Sequence, residues 1–295
     1  MNCRTAVAHG LRCALLCILL SACAGRAPET PASVERATVK AAPEAPDAEA
    51  VNRRLQALLP ADVLLLGEQH DAPAHQQLQR AVVLALAARG TLAALALEMA
   101  DRNTSTAGLP PQATEEQVRA ALKWREAGWP WGAYGPAVMA AVQAGVPVIG
   151  ANLPAGEMKD AMKNIALDGH LKLDKWQKQQ EIIREGHCGL LPPSQIIPMT
   201  RIQTARDAAM AQTVVGALEP GKTVLLIAGN GHVDRELGVP THLGREVRST
   251  SLVLRPDRPS DTGVDMTPAD AVWLTAAPPP KDYCAELRQQ MAPGR

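Results

Sequence analysis

Two histidines at the spacing Gly-x-x-His, each directly after a short apolar run, are the residues of this sequence best suited to chemistry. The first motif is Gly67-Glu68-Gln69-His70 and the second is Gly229-Asn230-Gly231-His232. Glycine lets the backbone turn sharply, so the histidine three residues later would project over the edge of a sheet. Two converging imidazoles can hold a cation or face an iron porphyrin. The alternative is that both histidines are only hydrogen-bonded loop residues.

Carboxylate and amide groups follow two other apolar runs. Glu98 comes after the run 92–97, and Asn152 comes shortly after the run 146–149. In open α/β sheets ligands bind beyond the carboxyl ends of the strands, so we expect these side chains beside the two histidines. Glu98 together with His70 and His232 forms a candidate ligand set.

Arg206 interrupts the apolar face of a predicted helix. It lies four residues after Ile202 and four before Met210, within a stripe that also contains Met199, Thr213 and Ala217. A charge on an apolar face needs a partner. That partner is either a structural carboxylate, such as Glu98 or Asp207, or the carboxylate or propionate of a ligand bound at the sheet edge.

Four of the seven aromatic residues fall within eleven positions: Trp124, Trp129, Trp131 and Tyr134. Glycines and a proline punctuate this stretch, so we predict a partly exposed loop. Its rings could stack on a flat apolar ligand, and a tyrosine oxygen can serve as an axial ligand of haem iron. The alternative is a hydrophobic anchor for the loop. We expect three further histidines, His75, His170 and His242, to be solvated.

The elements that must position these residues alternate between strand and helix. The strands are predicted at 63–66, 92–97, 146–149 and 224–227, with helices at about 74–89, 114–126 and 136–144. Continuous apolar runs alternating with helices predict an α/β fold with a mainly parallel sheet and flanking helices. Residues 155–217 contain no strand signal and are predicted to be a helical insertion between the third and fourth strands. Residues 247–254 and 271–275 could add edge strands.

Composition restricts the class of protein. The 295 residues are 46% hydrophobic and 20% charged, with 30 basic and 30 acidic side chains. These proportions are ordinary for a globular protein. Because the net charge is zero, we expect no nucleic-acid partner.

The first fifty residues are predicted to direct and anchor the protein. Arg4 and Arg12 flank the start of a short apolar run that ends in Leu20-Ser21-Ala22-Cys23, a pattern that resembles a bacterial lipobox. We therefore expect a signal peptide at 1–22, lipidation of Cys23 and attachment to the membrane through that lipid. An ordinary signal peptide that ends near a cysteine is the alternative. Residue 24 is not Asp, which favours the outer membrane, with the protein facing the periplasm.

The rest of the chain divides into a tether and a domain. Residues 23–50 contain almost no large apolar side chain and are predicted to be a disordered tether, and residues 51–295 form the globular domain. Within that domain, Cys188 and Cys284 are an even pair in an oxidising compartment and are predicted to form a disulfide. Free thiols, or Cys188 as a thiolate ligand of haem or metal beside His187, are the alternatives.

The motifs occur in an order that resembles one known family. The matching segments, over about residues 60–235, are residues 64–71, Leu97-Glu98-Met99, Gly150-Ala151-Asn152, His187-Cys188-Gly189, Arg206-Asp207-x-x-Met210-Ala211 and residues 227–232. They resemble the ChaN family of haem-binding lipoproteins, which belongs to a superfamily that includes Tiki metalloproteases and erythromycin-esterase-like hydrolases.

The resemblance implies non-covalently bound haem, a role in haem or iron uptake, and a homodimer with haem at its interface. It implies that Tyr, His and Lys side chains contact the haem, so a tyrosinate ligand would be Tyr134 or Tyr283, with Tyr134 nearer the strand ends in sequence. The expected haem-binding residues are His70, Tyr134, His232, Arg206, Glu98 and Asn152. The same motifs also fit a metal-dependent hydrolase, in which His70, His232 and Glu98 would hold Mn, Co or Zn, and Glu68 and Glu98 would be the catalytic carboxylates.

Overall fold

The structure is a computed structural model that describes residues 46–258 and 267–291. The predicted signal peptide, the predicted lipidation site Cys23 and the tether up to residue 45 lie outside the described residues. The helices are α1 Ala48–Gln56, α2 Pro73–Ala88, α3 Glu115–Ala121, α4 Trp131–Gln143, α5 Met158–Lys163, α6 Leu173–Gly186, α7 Pro193–Gly216 and α8 Tyr283–Met291. The strands are β1 Val63–Glu68, β2 Leu92–Asp101, β3 Val148–Asn152, β4 Thr223–Gly229, β5 Ser249–Pro256 and β6 Ala271–Thr275.

The six described strands form one sheet in the order β3-β2-β4-β1-β5-β6, and every pairing between them is parallel. The predicted α/β class is confirmed, as is the stretch without strands between β3 and β4, which contains α5, α6 and α7. One detail differs from the prediction. The strand β5 pairs with both β1 and β6, so it is an interior strand, whereas β3 and β6 are the edges.

Apolar side chains cover both faces of the sheet because alternate strand residues point to opposite sides. Leu64 and Leu66 of β1 pack on one face with α1, α2 and α4. Val63 and Leu65 pack on the other face with Met210 and Val214 of α7. Helix α7 therefore packs on this second face of the sheet. The two Gly-x-x-His motifs lie at the carboxyl ends of β1 and β4 in the same sheet.

Several boundaries differ from their predictions. Helix α1 begins at Ala48, so the last residues of the predicted tether already belong to the domain, and Val51 and Leu55 of α1 are buried. Strand β3 runs to Asn152 instead of ending at residue 149. Among the described residues, no helix has both the length and the apolar character needed to cross a bilayer.

Candidate functional site

A cleft of about 640 Å³ lies at the carboxyl ends of β1, β2 and β4, which are neighbours in the sheet. Strand register brings the motifs together, because Glu68 of β1 is paired with Gly229 of β4 and Leu97 of β2 with Ile227 of β4. The cleft is lined by Glu68, Gln69, His70, Asp71, Glu98, Gln203, Arg206, Gly229, Asn230, Gly231, His232, Lys281 and Tyr283. Most of the residues selected from the sequence therefore meet at one place.

The first glycine of each Gly-x-x-His motif is required for close packing. Neither Gly67 nor Gly229 has a positive φ, so a left-handed turn is not the reason for glycine at these positions. A Cβ atom on Gly67 would lie 2.5 Å from the side chains of Asn230 and Val233. A Cβ atom on Gly229 would lie 2.9 Å from Nε2 of His70. Each glycine thus makes room for the opposite motif.

His232 lies between two buried carboxylates. Its Nδ1 is 2.5 Å from Oδ1 of Asp207, and its Nε2 is 3.4 Å from Oε1 of Glu98. Burial disfavours the imidazolium, but the charges of Glu98 and Asp207 outweigh burial and raise the pKa of His232 to about 10. The two carboxylates therefore favour the imidazolium form of His232, with one ring nitrogen facing Asp207 and the other facing Glu98.

Glu98 is the centre of this polar cluster. Burial works against its ionised form, yet the charges of His232 and His70 and the hydrogen bonds lower the pKa of Glu98 to about 2. Its Oε2 accepts the N–H of Gly229 at 2.7 Å and lies 3.7 Å from Nε2 of His70. Glu98 is buried, accepts the N–H of Gly229 and pairs with the imidazole of His232, which makes it a support for the cleft wall.

His70 is the more accessible imidazole, with 39% of its side chain exposed. Its Nδ1 is 2.9 Å from Oε1 of Glu68, and the indole of Trp129 packs against the ring edge-on at 4.9 Å between centroids. Burial lowers the pKa of His70, but Glu68 and Glu98 reverse this effect and raise it. A neutral His70 keeps its proton on Nδ1 toward the Glu68 carboxylate, which leaves the Nε2 lone pair for the cleft. This is the arrangement usual for a metal-ligating histidine.

Tyr134 is buried within α4, so the predicted partly exposed loop is found at residues 124–130 but the prediction is wrong from Trp131 onward. Helix α4 begins at Trp131, and Trp131 is itself buried. The Tyr134 side chain is 2% exposed, and its hydroxyl donates to Oε1 of Glu68 at 2.8 Å. Burial first, and then the charge of Glu68, raise the pKa of Tyr134 far above its usual value. Tyr134 therefore orients Glu68 and does not line the cleft, which fits the anchor alternative.

Arg206 lines the cleft, and within the described part of the chain its side chain makes no hydrogen bond or ion pair that would neutralise it. Its Nε is buried and makes no hydrogen bond within the described part of the chain. Glu98, one of the two carboxylates considered as partners, is engaged with His232. Asp207, the other candidate, bonds to His232. Its interaction with Arg206 is electrostatic, and no hydrogen bond joins the two side chains among the described contacts. The guanidinium is thus available to an anion in the cleft.

Asn152 is the one other selected residue that the structure keeps out of the cleft lining. It is buried at the end of β3, an edge strand that is separated from β4 by β2. Its backbone oxygen accepts the N–H of Arg102 at 2.8 Å. Its position in the strand order explains why it does not join His70 and His232.

His75 supports the cleft loop, and the prediction that it is solvated is wrong. Its side chain is fully buried; Nδ1 accepts the N–H of Gln69 at 2.9 Å, and Nε2 lies 3.0 Å from Oγ1 of Thr275. Burial lowers the pKa of His75 to about 4. A sequence signal was present, because His75 is three residues before Leu78, on the apolar stripe of α2.

Tyr283 lines the cleft although it is more than two hundred positions from His70 in sequence. Its hydroxyl donates to Oδ2 of Asp71 at 2.7 Å and lies 3.0 Å from Nε2 of Gln69. The side chain is 44% exposed. Of the two tyrosines considered from the sequence, Tyr283 is therefore the one whose oxygen is accessible.

Cys188 and Cys284 form a disulfide in the structure, with their Cα atoms 5.6 Å apart. Cys188 follows α6, and Cys284 is next to Tyr283 in α8. Cys188 is thus occupied by this bond, so in this structure it is no thiolate ligand. Within residues 46–258 and 267–291, no group of three or more His, Cys, Asp or Glu side chains has the geometry to hold a metal ion.

Comparisons with known proteins agree with this architecture. A solved structure of ChaN of Campylobacter jejuni, described as showing cofacial heme binding, is 23% identical to this chain. The match covers 75% of this chain and 89% of the other, with a TM-score of 0.60, so the two proteins share a fold. The type III effector HopBA1 matches at 18% identity over 66% of this chain and 77% of its own, with a TM-score of 0.38, which is too low to support an argument.

Sequence comparison identifies the family. No curated protein is similar enough in sequence to this chain to count as a relative. A family model described as "Haem-binding uptake, Tiki superfamily, ChaN" matches residues 54–243, which include β1 to β4, both Gly-x-x-His motifs and α7. The chain therefore belongs to the ChaN family of the Tiki superfamily.

Proposed function

We propose that this protein binds haem non-covalently in the cleft at the carboxyl ends of β1, β2 and β4, as part of haem or iron uptake. The observation that carries the proposal is the set of accessible groups around that cleft. His70 and Tyr283 are exposed there, and the guanidinium of Arg206 has a buried Nε that finds no hydrogen-bond acceptor among the described residues. Haem would supply an iron that takes an imidazole or phenolate ligand and two propionates that need a cation.

The residues present fit such a ligand in three respects. The cleft volume of about 640 Å³ is of the size usual for small-molecule sites. Nε2 of His70 faces the cleft with its Nδ1 bonded to Glu68, which sets the tautomer that an iron ligand requires. The orphaned Nε of Arg206 would gain a carboxylate partner. His70 or Tyr283 is therefore the proposed iron ligand and Arg206 the proposed propionate contact, while Glu98 and His232 position the wall.

A second copy of the chain would complete the site. The cleft is open, and its lining is dominated by polar and charged side chains, so it leaves the apolar outer face of a flat porphyrin in water. Covering that face with the same surface of a second protomer would remove it from solvent. This supports a homodimer with haem at the interface. The expected observation is that haemin shifts the molar mass measured by light scattering from monomer to dimer.

Titration with haemin tests the binding proposal. We expect saturable binding with a Soret band, and a weakened and shifted band in His70→Ala. His170→Ala is the matched control because His170 is also an exposed histidine but does not line the cleft. A titration with no saturable change at micromolar haemin would contradict the proposal.

The proposed location is the outer membrane, with the protein facing the periplasm on a lipid attached to Cys23. The lipobox-like segment at residues 20–23 supports it. Labelled palmitate should be incorporated into the wild-type protein and not into Cys23→Ser, and the wild type should fractionate with outer membranes. Recovery of the wild type in the soluble periplasmic fraction would contradict this location.

A divalent-metal hydrolase is the second candidate, favoured by the approach of two imidazoles to one carboxylate. Nε2 of His70 and Nε2 of His232 lie 3.7 and 3.4 Å from the two oxygens of Glu98. It ranks second because no group of three or more His, Cys, Asp or Glu side chains within the described residues could hold a metal ion. Stoichiometric Mn, Co or Zn in protein purified without chelator, with activity that EDTA removes, would reverse this order.

A further inference from the structure

The segment that carries Tyr283 into the cleft is held with very little packing. From Ala276 to Gln290 no side chain is buried, although the segment includes most of α8. The first anchor that the structure provides is the hydroxyl of Tyr283, bonded to Asp71 and to Gln69. We refer to residues 276–291 as the C-terminal arm.

The second anchor is covalent. Cys284 at the start of α8 is bonded to Cys188, which lies directly after α6 in the helical insertion. Cys188 has a φ of +56°, a left-handed conformation that favours glycine over cysteine. The bond joins the arm to the insertion whose α7 contributes Arg206 to the cleft.

We propose that the Cys188–Cys284 disulfide is what keeps Tyr283 in the cleft wall, so that ligand affinity depends on the redox state of this bond. The proposal rests on the proposed function, in which the cleft binds haem. Two exposed hydrogen bonds compete with water and are too weak to order an arm without buried side chains. The disulfide supplies the constraint that apolar packing does not.

Opening the bond is a balanced exchange with a dithiol. The dithiol donates two electrons and two protons, the sulfur–sulfur bond breaks to give the thiols of Cys188 and Cys284, and the dithiol becomes a disulfide. The only covalent link that then remains between the described arm and the domain is the chain itself, through Thr275 at the end of β6, and the two hydrogen bonds of Tyr283 must hold the arm alone. Tyr283 and Lys281 leave the cleft with it, and one wall of the site is lost.

Hydrogen exchange tests the tether without any ligand. In the oxidised wild type, peptides from the C-terminal arm should exchange at least tenfold more slowly than in Cys188→Ser/Cys284→Ser. Wild type that is reduced, alkylated and freed of reagent should match the double variant. The same treatment of the double variant should change nothing, and peptides from β1 and β4 should be equal in all samples. Equal exchange of the arm with and without the disulfide would overturn the proposal.

Haemin titration of the same samples tests the consequence. We expect at least tenfold weaker binding in the double variant and in reduced, alkylated wild type. Because the disulfide acts through Tyr283, Tyr283→Ala should weaken haemin binding in the oxidised protein. In the Cys188→Ser/Cys284→Ser background, the same substitution should weaken haemin binding by less than a further twofold. If hydrogen exchange shows that the arm is freed but haemin affinity stays within twofold of wild type, the proposal is overturned and the proposed function is left intact. Absence of haemin binding by oxidised wild type would overturn the proposed function. The hydrogen-exchange data would then still show whether the disulfide holds the C-terminal arm in place.

Discussion

Glu98→Gln should destabilise the protein because it removes one of the two charges that hold His232 as an imidazolium. The substitution keeps the size of the side chain, and its amide oxygen can still accept the N–H of Gly229. The amide NH₂ that replaces the other oxygen cannot accept from Nε2–H of His232, which lies 3.4 Å from Oε1 of Glu98. A buried imidazolium is then left with Asp207 alone.

The magnitude follows from the pKa of His232. Burial lowers it and the two carboxylates raise it, and the net result is an increase from 6.5 to about 10. At 1.36 kcal/mol per pKa unit, this increase corresponds to roughly 5 kcal/mol of net stabilisation. Glu98 is the stronger of the two favourable charges, and removing one partner of a buried ion pair costs about 3–5 kcal/mol. We expect Glu98→Gln to lower the free energy of unfolding by about 3 kcal/mol at pH 6.

The pH dependence has a definite sign. A histidine whose pKa is raised by folding stabilises the protein fully below its unfolded pKa of 6.5, and this stabilisation is lost as the pH rises through about 10. The difference between wild type and Glu98→Gln should therefore shrink to under about 1 kcal/mol at pH 10.

Urea unfolding at pH 6 and pH 10, followed by circular dichroism, measures both quantities. Glu116→Gln is the matched control because Glu116 is an exposed residue of α3. A loss under about 1 kcal/mol at pH 6, or an equal loss at both pH values, would refute this account of the Asp207–His232–Glu98 cluster.

The remaining predictions concern three other side chains. Arg206→Lys should melt within about two degrees of wild type and bind haemin at least tenfold more weakly, about 1.4 kcal/mol, because an ammonium lacks the planar geometry for a carboxylate. A lowered melting temperature with unchanged haemin affinity would show that Arg206 has a structural role. Tyr134→Phe should lower the unfolding free energy by about 1–2 kcal/mol through the lost bond to Glu68 and leave the haemin titration unchanged, so a shifted Soret band would refute its buried role. Folding lowers the pKa of His75 to about 4, so the free energy of unfolding of wild type should fall by roughly 3 kcal/mol relative to that of His75→Gln as the pH drops from 6.5 to 4. An equal pH dependence of the unfolding free energy in the two proteins would contradict this.

Much of the fold could be predicted from local sequence patterns. Four continuous apolar runs alternating with amphipathic helices indicate a buried parallel sheet, and the structure has these strands at β1 to β4. A capping box at Thr114 and Gln117 opens α3 near the predicted start of that helix, because this motif depends on residues three positions apart. Such signals work where the controlling contacts are local. The start of α4 was predicted too late because Gly132 and Gly135 suggested a loop, whereas packing of Trp131 and Tyr134 into the core stabilises helix there.

The sequence by itself determined most of the polar groups that meet, since parallel strands bring their carboxyl ends to one edge, but it also predicted Asn152, which the strand order keeps out of the cleft. His70, His232, Glu98 and Glu68 were identified on this basis alone. Only the tertiary structure decided what each group does there. Whether an imidazole is free or held between two carboxylates depends on charges contributed by different elements, such as Asp207 of α7. Likewise, burial removes Tyr134 from the cleft, and the distant C-terminal arm supplies Tyr283, because exposure is a property of packing between segments far apart in sequence.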